Sequence, residues 1–408
     1  MRASTRMSAA AVWGVIVAVS GAAPWAQAQE VRTLTVRTGI GGPGDSGMIT
    51  LRSVEKFGAL LGLDEATREA VQVSHEGYTA AFQQVQKARR EAMDAVRREV
   101  EETEDHSLWG SRLPSIEKAF RTSSRKLEDE FMADLRIMSG EAGQGPAWER
   151  VERMRRREQV LKGGGMSGEG VDLVELVGSI PMPPEAMSAA EPTLLDYEAE
   201  MDRQAQARLK MFEEQGEIKG LGQGLDPERM EAMLKDFRES GAKLRDVNMR
   251  FARKIESALP DEQRAAFASE FRKRCFPAVY KVSRAQRELD AAIGMTDLTG
   301  EQRELLASLR DSYQREARAV NEVWAAAIED QEKSGASAGM SFAGAQIKLM
   351  NGEEPEALRQ ARQSRRDLDK RVRERLSSAL TPAQRDRLPR EPEDDGVAGQ
   401  KAFFIEAM

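Results

Sequence analysis

Residues able to carry chemistry are sparse in this chain of 408, and their spacing limits what they could do. The two histidines, His75 and His106, have no second ligand at helical or hairpin spacing. His75 lies three residues before Tyr78 and reads as a partly buried helix residue. The single cysteine, Cys275, has no histidine nearby and reads as a buried or idle thiol. A lone cysteine also excludes an intramolecular disulfide. Carboxylates are abundant, but on long helices they form solvated faces with arginines one turn away. An enzyme working with carboxylates alone is therefore only an alternative. Gly163–Gly170 has neither the lysine–serine signature nor the strand-to-helix setting of a phosphate loop. The arginines of residues 147–162 (Arg150, Arg153, Arg155, Arg156, Arg157) could meet phosphate or anionic lipid, and read first as a solvated helix face. No catalytic residue, metal site or cofactor is expected.

The elements that would position any site are organised by a repeat. Leu298-Thr299-Gly300-Glu301-Gln302-Arg303 is followed by Tyr313, fifteen residues after the leucine. Leu63-Asp64 is followed by Tyr78, and Met182 by Tyr197, each at the same distance. The starts lie 119 and 116 residues apart, and three of the chain's four tyrosines share this phase. A second marker recurs at Leu259-Pro260-Asp261-Glu262-Gln263-Arg264 and Leu380-Thr381-Pro382-Ala383-Gln384-Arg385, 121 residues apart. The spacing predicts one unit present three times.

Composition supports long helices: 32 % of residues are charged and only 5 % aromatic. After each tyrosine marker, apolar residues recur at helical steps: Val71, Tyr78, Phe82 and Val96; Leu194, Tyr197, Met201 and Leu209; Leu298, Leu305, Leu309 and Tyr313. Breaks at about 105–114, 220–224 and 335–355 are each followed by a returning stripe. Such a pattern predicts an all-α chain of three tandem antiparallel helical hairpins, coiled-coil-like, without a sheet.

The marker has a direct physical meaning. Threonine at the N-cap accepts from the amide of the third helical residue, and glutamine there reaches back to the cap amide. Thr299/Gln302 and Thr381/Gln384 satisfy this capping box; Asp64/Thr67 and Pro260/Gln263 keep parts of it. The reading is helix punctuation. These two motifs also resemble the LTxxQ motif of the Spy/CpxP-like periplasmic proteins, small exported helical stress proteins, some of them ATP-independent chaperones. The resemblance implies helical hairpins and, as an alternative activity, client holding on exposed apolar surface. This chain is several times longer and net acidic, whereas the resemblance implies a basic client-binding face.

Arg2 and Arg6 precede an apolar run from Ala9 to Ala23, and Ala26-Gln27-Ala28 has the form of a signal-peptidase site. Cleavage is expected after Ala28, giving a periplasmic or secreted chain with no transmembrane helix. The mature chain has 59 basic against 68 acidic residues, which argues against nucleic acid. The expected organisation is a signal peptide (1–28), a flexible leader (29–47), helical units over 48–165, 166–293 and 294–390, and a disordered acidic tail (391–408). The expected function is non-enzymatic: an envelope scaffold or protein-binding module whose partners are envelope components or unfolded clients.

Overall fold

A computed structural model of the chain describes residues 47–105, 107–161, 165–216, 227–334 and 355–389, and the backbone of 33–38, 337–342 and 345–350. The signal peptide with its cleavage site, most of the leader, the second break and the acidic tail lie outside the described residues.

The architecture is all-helical. In chain order the helices are α1 (Leu51–Leu60), α2 (Glu65–Thr103), α3 (Ser107–Met138), α4 (Pro146–Leu161), α5 (Leu173–Gly178), α6 (Pro184–Gly216), α7 (Pro227–Ala258), α8 (Asp261–Cys275), α9 (Pro277–Tyr280), α10 (Arg284–Ile293), α11 (Gly300–Ser334), α12 (Glu356–Ala379) and α13 (Pro382–Arg385). The expectation of no sheet holds for the helical cores. Three six-residue strands, β1 (Thr33–Thr38), β2 (Ser337–Phe342) and β3 (Ala345–Met350), pair in the order β1-β3-β2. No helix among the described residues is long and apolar enough to cross a membrane.

The chain divides into two compact units, with the boundary after Ala268. In the first, α2 packs on α3 and α6 on α7; in the second, α11 packs on α12. Three cores result. Val71, Tyr78 and Phe82 of α2 meet Phe120, Phe131 and Leu135 of α3. Tyr197 of α6 stacks edge-on against Phe251 of α7, and Phe212 of α6 packs at a tilt against Phe237 of α7. Leu306, Leu309 and Tyr313 of α11 meet Leu368, Val372 and Leu376 of α12. A short helix docks on each pair: α1 on α2, α5 on α6, and α10 on both α11 and α12. The sequence reading puts 284–293 with the second unit, yet Ala285, Leu289 and Ala292 lie in the third core.

Two expectations change, one in the first pair and one in the third. The break at 105–114 is much shorter, because α3 starts at Ser107 and runs through Pro114. A proline within a helix removes one donor but need not end it where neighbouring helices hold it. The reversal is set instead by Glu104, whose φ of 57° is left-handed, and by Asp105, whose carboxylate accepts from the Ser107 amide at 2.9 Å. In the third pair Leu305 is exposed and Leu306 is fully buried, so the buried stripe runs 298, 306, 309, 313.

Candidate functional site

Tyr78, Tyr197 and Tyr313 make buried polar contacts. Each sits on the first long helix of a pair and reaches the start of the short helix that precedes it. The Tyr78 hydroxyl accepts from the Ile49 amide at 3.0 Å, one residue before Thr50 caps α1. The Ile49 carbonyl accepts from His75 Nε2 at 2.8 Å, so that nitrogen carries the proton. The Tyr197 hydroxyl accepts from the Leu173 amide at 3.3 Å, directly after Asp172 caps α5. It donates to Asn248 Oδ1 on α7 at 3.0 Å. Asn248 Nδ2 in turn donates to the Gly168 and Glu169 carbonyls, at 2.8 and 3.1 Å. The Tyr313 hydroxyl lies 2.7 Å from the oxygen of Ser283, the residue that caps α10. It donates to Asp369 on α12 at 2.8 Å and accepts from Arg365 at 2.7 Å.

Burial raises the pKa of all three phenols: Tyr78, Tyr197 well beyond the usual tyrosine range, and Tyr313 up to about 12. Desolvation penalises the phenolate, so each hydroxyl stays protonated and acts as a hydrogen-bonding group, not as a base or nucleophile.

The segment leading into α5 is ordered around a buried carboxylate. Glu169 is 1 % exposed and takes the Gly165 and Met166 amides at 2.8 and 3.0 Å on one carboxylate oxygen. Its other oxygen pairs with Arg208. Gly168 has a φ of 81°, which suits glycine, and Gly241 of α7 leaves room for the Glu169 carboxylate. Asp172 followed by Leu173, Leu176 and Val177 was the available signal: an N-cap and an apolar face within six residues.

The arginine run is the largest correction. Helix α4 is not a solvated face: Arg155 and Arg157 are buried and every arginine of the run is paired with carboxylate. Toward the first pair, Arg155 donates to Glu128 of α3 at 2.5 Å and to the Gly47 carbonyl at 2.8 Å. Toward the second, Arg150 makes a two-pronged contact with Glu198 and Arg156 another with Asp202, both on α6. Arg157 reaches the α5 cap Asp172 at 2.9 Å. Trp148, Val151 and Met154 complete the seam by entering the first core. The signal missed was sequence composition elsewhere: the carboxylates that neutralise α4 lie up to 48 residues away.

The markers also have definite places. Asp64 caps α2, accepting from the Thr67 amide at 2.8 Å, and that bond holds its carboxyl below the usual range. Leu63, Leu259, Leu298 and Leu380 are buried beside their caps, and Met182 is half-buried ahead of α6. Both capping boxes form: Thr299 with Gln302, and Thr381 with Gln384. At α8 the marker works differently. Gln263 is half-buried, and Arg264 closes the end of α7 by donating to the Glu256 and Leu259 carbonyls at 3.1 and 2.9 Å. Cys275 is buried, and no group of three or more His, Cys, Asp or Glu able to hold a metal occurs among the described residues.

No protein-family model matches the sequence, and no curated protein or solved structure matches it either.

Proposed function

We propose that the chain is an exported, non-enzymatic helical-repeat protein, built from three copies of one two-helix module and serving as an envelope scaffold or protein-binding module. One recurring contact carries the reading: Tyr78, Tyr197 and Tyr313 each join the first long helix of a pair to the start of its short preceding helix. Glu128, Asn248 and Asp369, spaced 120 and 121 residues apart, occupy the matching position on the return helices. Asn248 and Asp369 bond their tyrosine directly, while Glu128 acts on Tyr78 through its charge. A module that closes on its own connecting segment supports a scaffold role, since its polar interior is used in holding shape. Export rests on residues 1–28.

The test is fractionation of cells making the full chain, with cross-linking in intact envelopes. Expected is a mature N-terminus at Gln29 and recovery of a stoichiometric envelope partner. A chain retained in the cytoplasm with residues 1–28 attached would overturn the proposal.

A client-holding activity is the second reading. It is favoured by Leu305 and Val323, 53 % and 62 % exposed and five helical turns apart on one face of α11. Failure of the purified chain to slow aggregation of an unfolded client at substoichiometric ratio would remove it.

A further inference from the structure

Ion pairs join the first two helix pairs with one direction of charge. Helix α4 supplies Arg150 to Glu198 and Arg156 to Asp202 of α6, and Arg157 to Asp172, the cap of α5. Helix α1 supplies Arg52 and Lys56 to Glu175 of α5, and α3 supplies Arg125 to Glu213 of α6. In each of these contacts the cation belongs to the first body, α1 to α4, and the carboxylate to the second, α5 to α7.

The apolar side of α4 faces the other way. Trp148, Val151 and Met154 enter the core that α2 and α3 share. The second pair has its own core, with Tyr197 against Phe251 and Phe212 against Phe237. Lifting α4 from α6 therefore parts charges that water can rehydrate, and spares these two cores. Parting either helix pair would instead expose apolar surface to water. The seam is also graded. Arg157 is 3 % exposed, and Val160 and Leu161 in the last turn of α4 are buried. Arg150 and Arg156 are about one third exposed, and Arg52 and Arg125 more than half. Salt screens the exposed pairs first.

We propose that this seam is a salt-sensitive hinge. The two helix pairs swing apart as ionic strength rises, turning about the buried last turn of α4, while each pair stays folded. Because each body presents one sign of charge, the attraction acts between whole faces and reaches over a Debye length. Opening uncovers Glu198 and Asp202, whose side chains are 3 and 9 % exposed when the seam is shut. The open form thus presents an acidic strip along α6 that the closed form hides. The hinge requires neither export nor a partner.

The full chain carrying C275S, V73C and K210C is labelled with a donor–acceptor dye pair; Val73 of α2 and Lys210 of α6 are both well exposed. Expected is a loss of about half the energy transfer between about 0.01 M and about 1 M sodium chloride, as the Debye length falls from about 30 to about 3 Å. R150Q/R156Q moves that loss to lower salt. R153Q, whose partner Glu149 lies on the same helix, leaves it in place. Dyes on V73C and K126C, both within the first pair, show no change, and circular dichroism stays constant through the titration. Energy transfer that ignores salt, that falls only together with the helical signal, or whose loss is unmoved by R150Q/R156Q overturns the proposal.

Discussion

Gln302 and Gln384 hydrogen-bond to each other, Nε2 of the first to Oε1 of the second at 3.0 Å. Each also completes its own capping box, and Gln302 Nε2 donates to the Ala379 carbonyl at 2.9 Å. The two motifs were expected to punctuate separate helices. They cap α11 and α13, and they also meet, so that the start of α11 is tied to the end of α12 through these two side-chain amides.

This pairing predicts non-additivity. Gln302→Ala and Gln384→Ala should each cost ~1 kcal/mol through the lost cap. In a double-mutant cycle by urea unfolding, their coupling should reach about 0.5–1 kcal/mol. Strict additivity would show that the amides touch without interacting.

The tyrosine contacts should be sensitive to loss of one oxygen. Tyr197→Phe keeps the ring packed against Phe251 but strands the buried Asn248 carbonyl oxygen and the Leu173 amide. The expected loss is ~1–3 kcal/mol, the usual cost of a buried polar group left without its partner. Chemical denaturation measures it, and a change below about 0.3 kcal/mol would contradict the contact's importance.

Arginines of α4 should differ sharply although they are neighbours. Arg157→Ala removes a 3 % exposed guanidinium and leaves Asp172 without its counter-charge, an expected loss of ~3–5 kcal/mol. Arg153 pairs with Glu149 one turn away, and the glutamate side chain is 66 % exposed, so Arg153→Ala should cost less than ~0.5 kcal/mol. Comparable losses in thermal unfolding would return α4 to the status of a solvated face.

Alkaline pH should loosen the third pair. Tyr313 titrates near 10.0 when unfolded and at about 12 when folded, because burial disfavours its phenolate. A raised folded pKa means the stabilisation is complete below pH 10 and declines as pH rises toward 12. At ~1.4 kcal/mol per pH unit the loss reaches about 2–3 kcal/mol. Stability measured against pH should decline more steeply in the native chain than in Tyr313→Phe, where Tyr78 and Tyr197 still contribute; an identical profile in both would refute the assignment.

Gly241→Ala tests the close approach of α7 to Glu169. An added Cβ would stand 2.9 Å from Glu169 Oε2. Displacing that carboxylate disturbs its bonds to Arg208, Gly165 and Met166, and a loss of ~1–3 kcal/mol is expected in denaturant unfolding. A neutral or stabilising alanine would mean that Glu169 shifts freely.

Much of the helical layout was legible because its signals are local. Asp64 announces α2, Thr381 announces α13, and the spacing of Val71, Tyr78 and Phe82 gives the buried face. Where two candidates are adjacent, local pattern fails. Leu305 and Leu306 are both leucine, and only the partner helix decides that Leu306 is inside. At 208–209 the apolar rule inverts, since Arg208 is buried and Leu209 only half-buried, because Glu169 supplies a charge from 39 residues away. The same holds for α4. A guanidinium carries no mark in sequence that says whether a carboxylate or water will face it.

That two-sidedness of α4 bears on how the polypeptide matures. Glu128 precedes its arginine in the chain, and Asp172, Glu198 and Asp202 follow that arginine helix. A nascent chain emerging N-terminus first cannot neutralise the charge at Glu128 until residue 155 appears, nor satisfy α4 until residue 202 is out. A length ending before residue 155 leaves Glu128 of the first pair without its counter-charge, and one ending before residue 202 leaves Arg156 without Asp202.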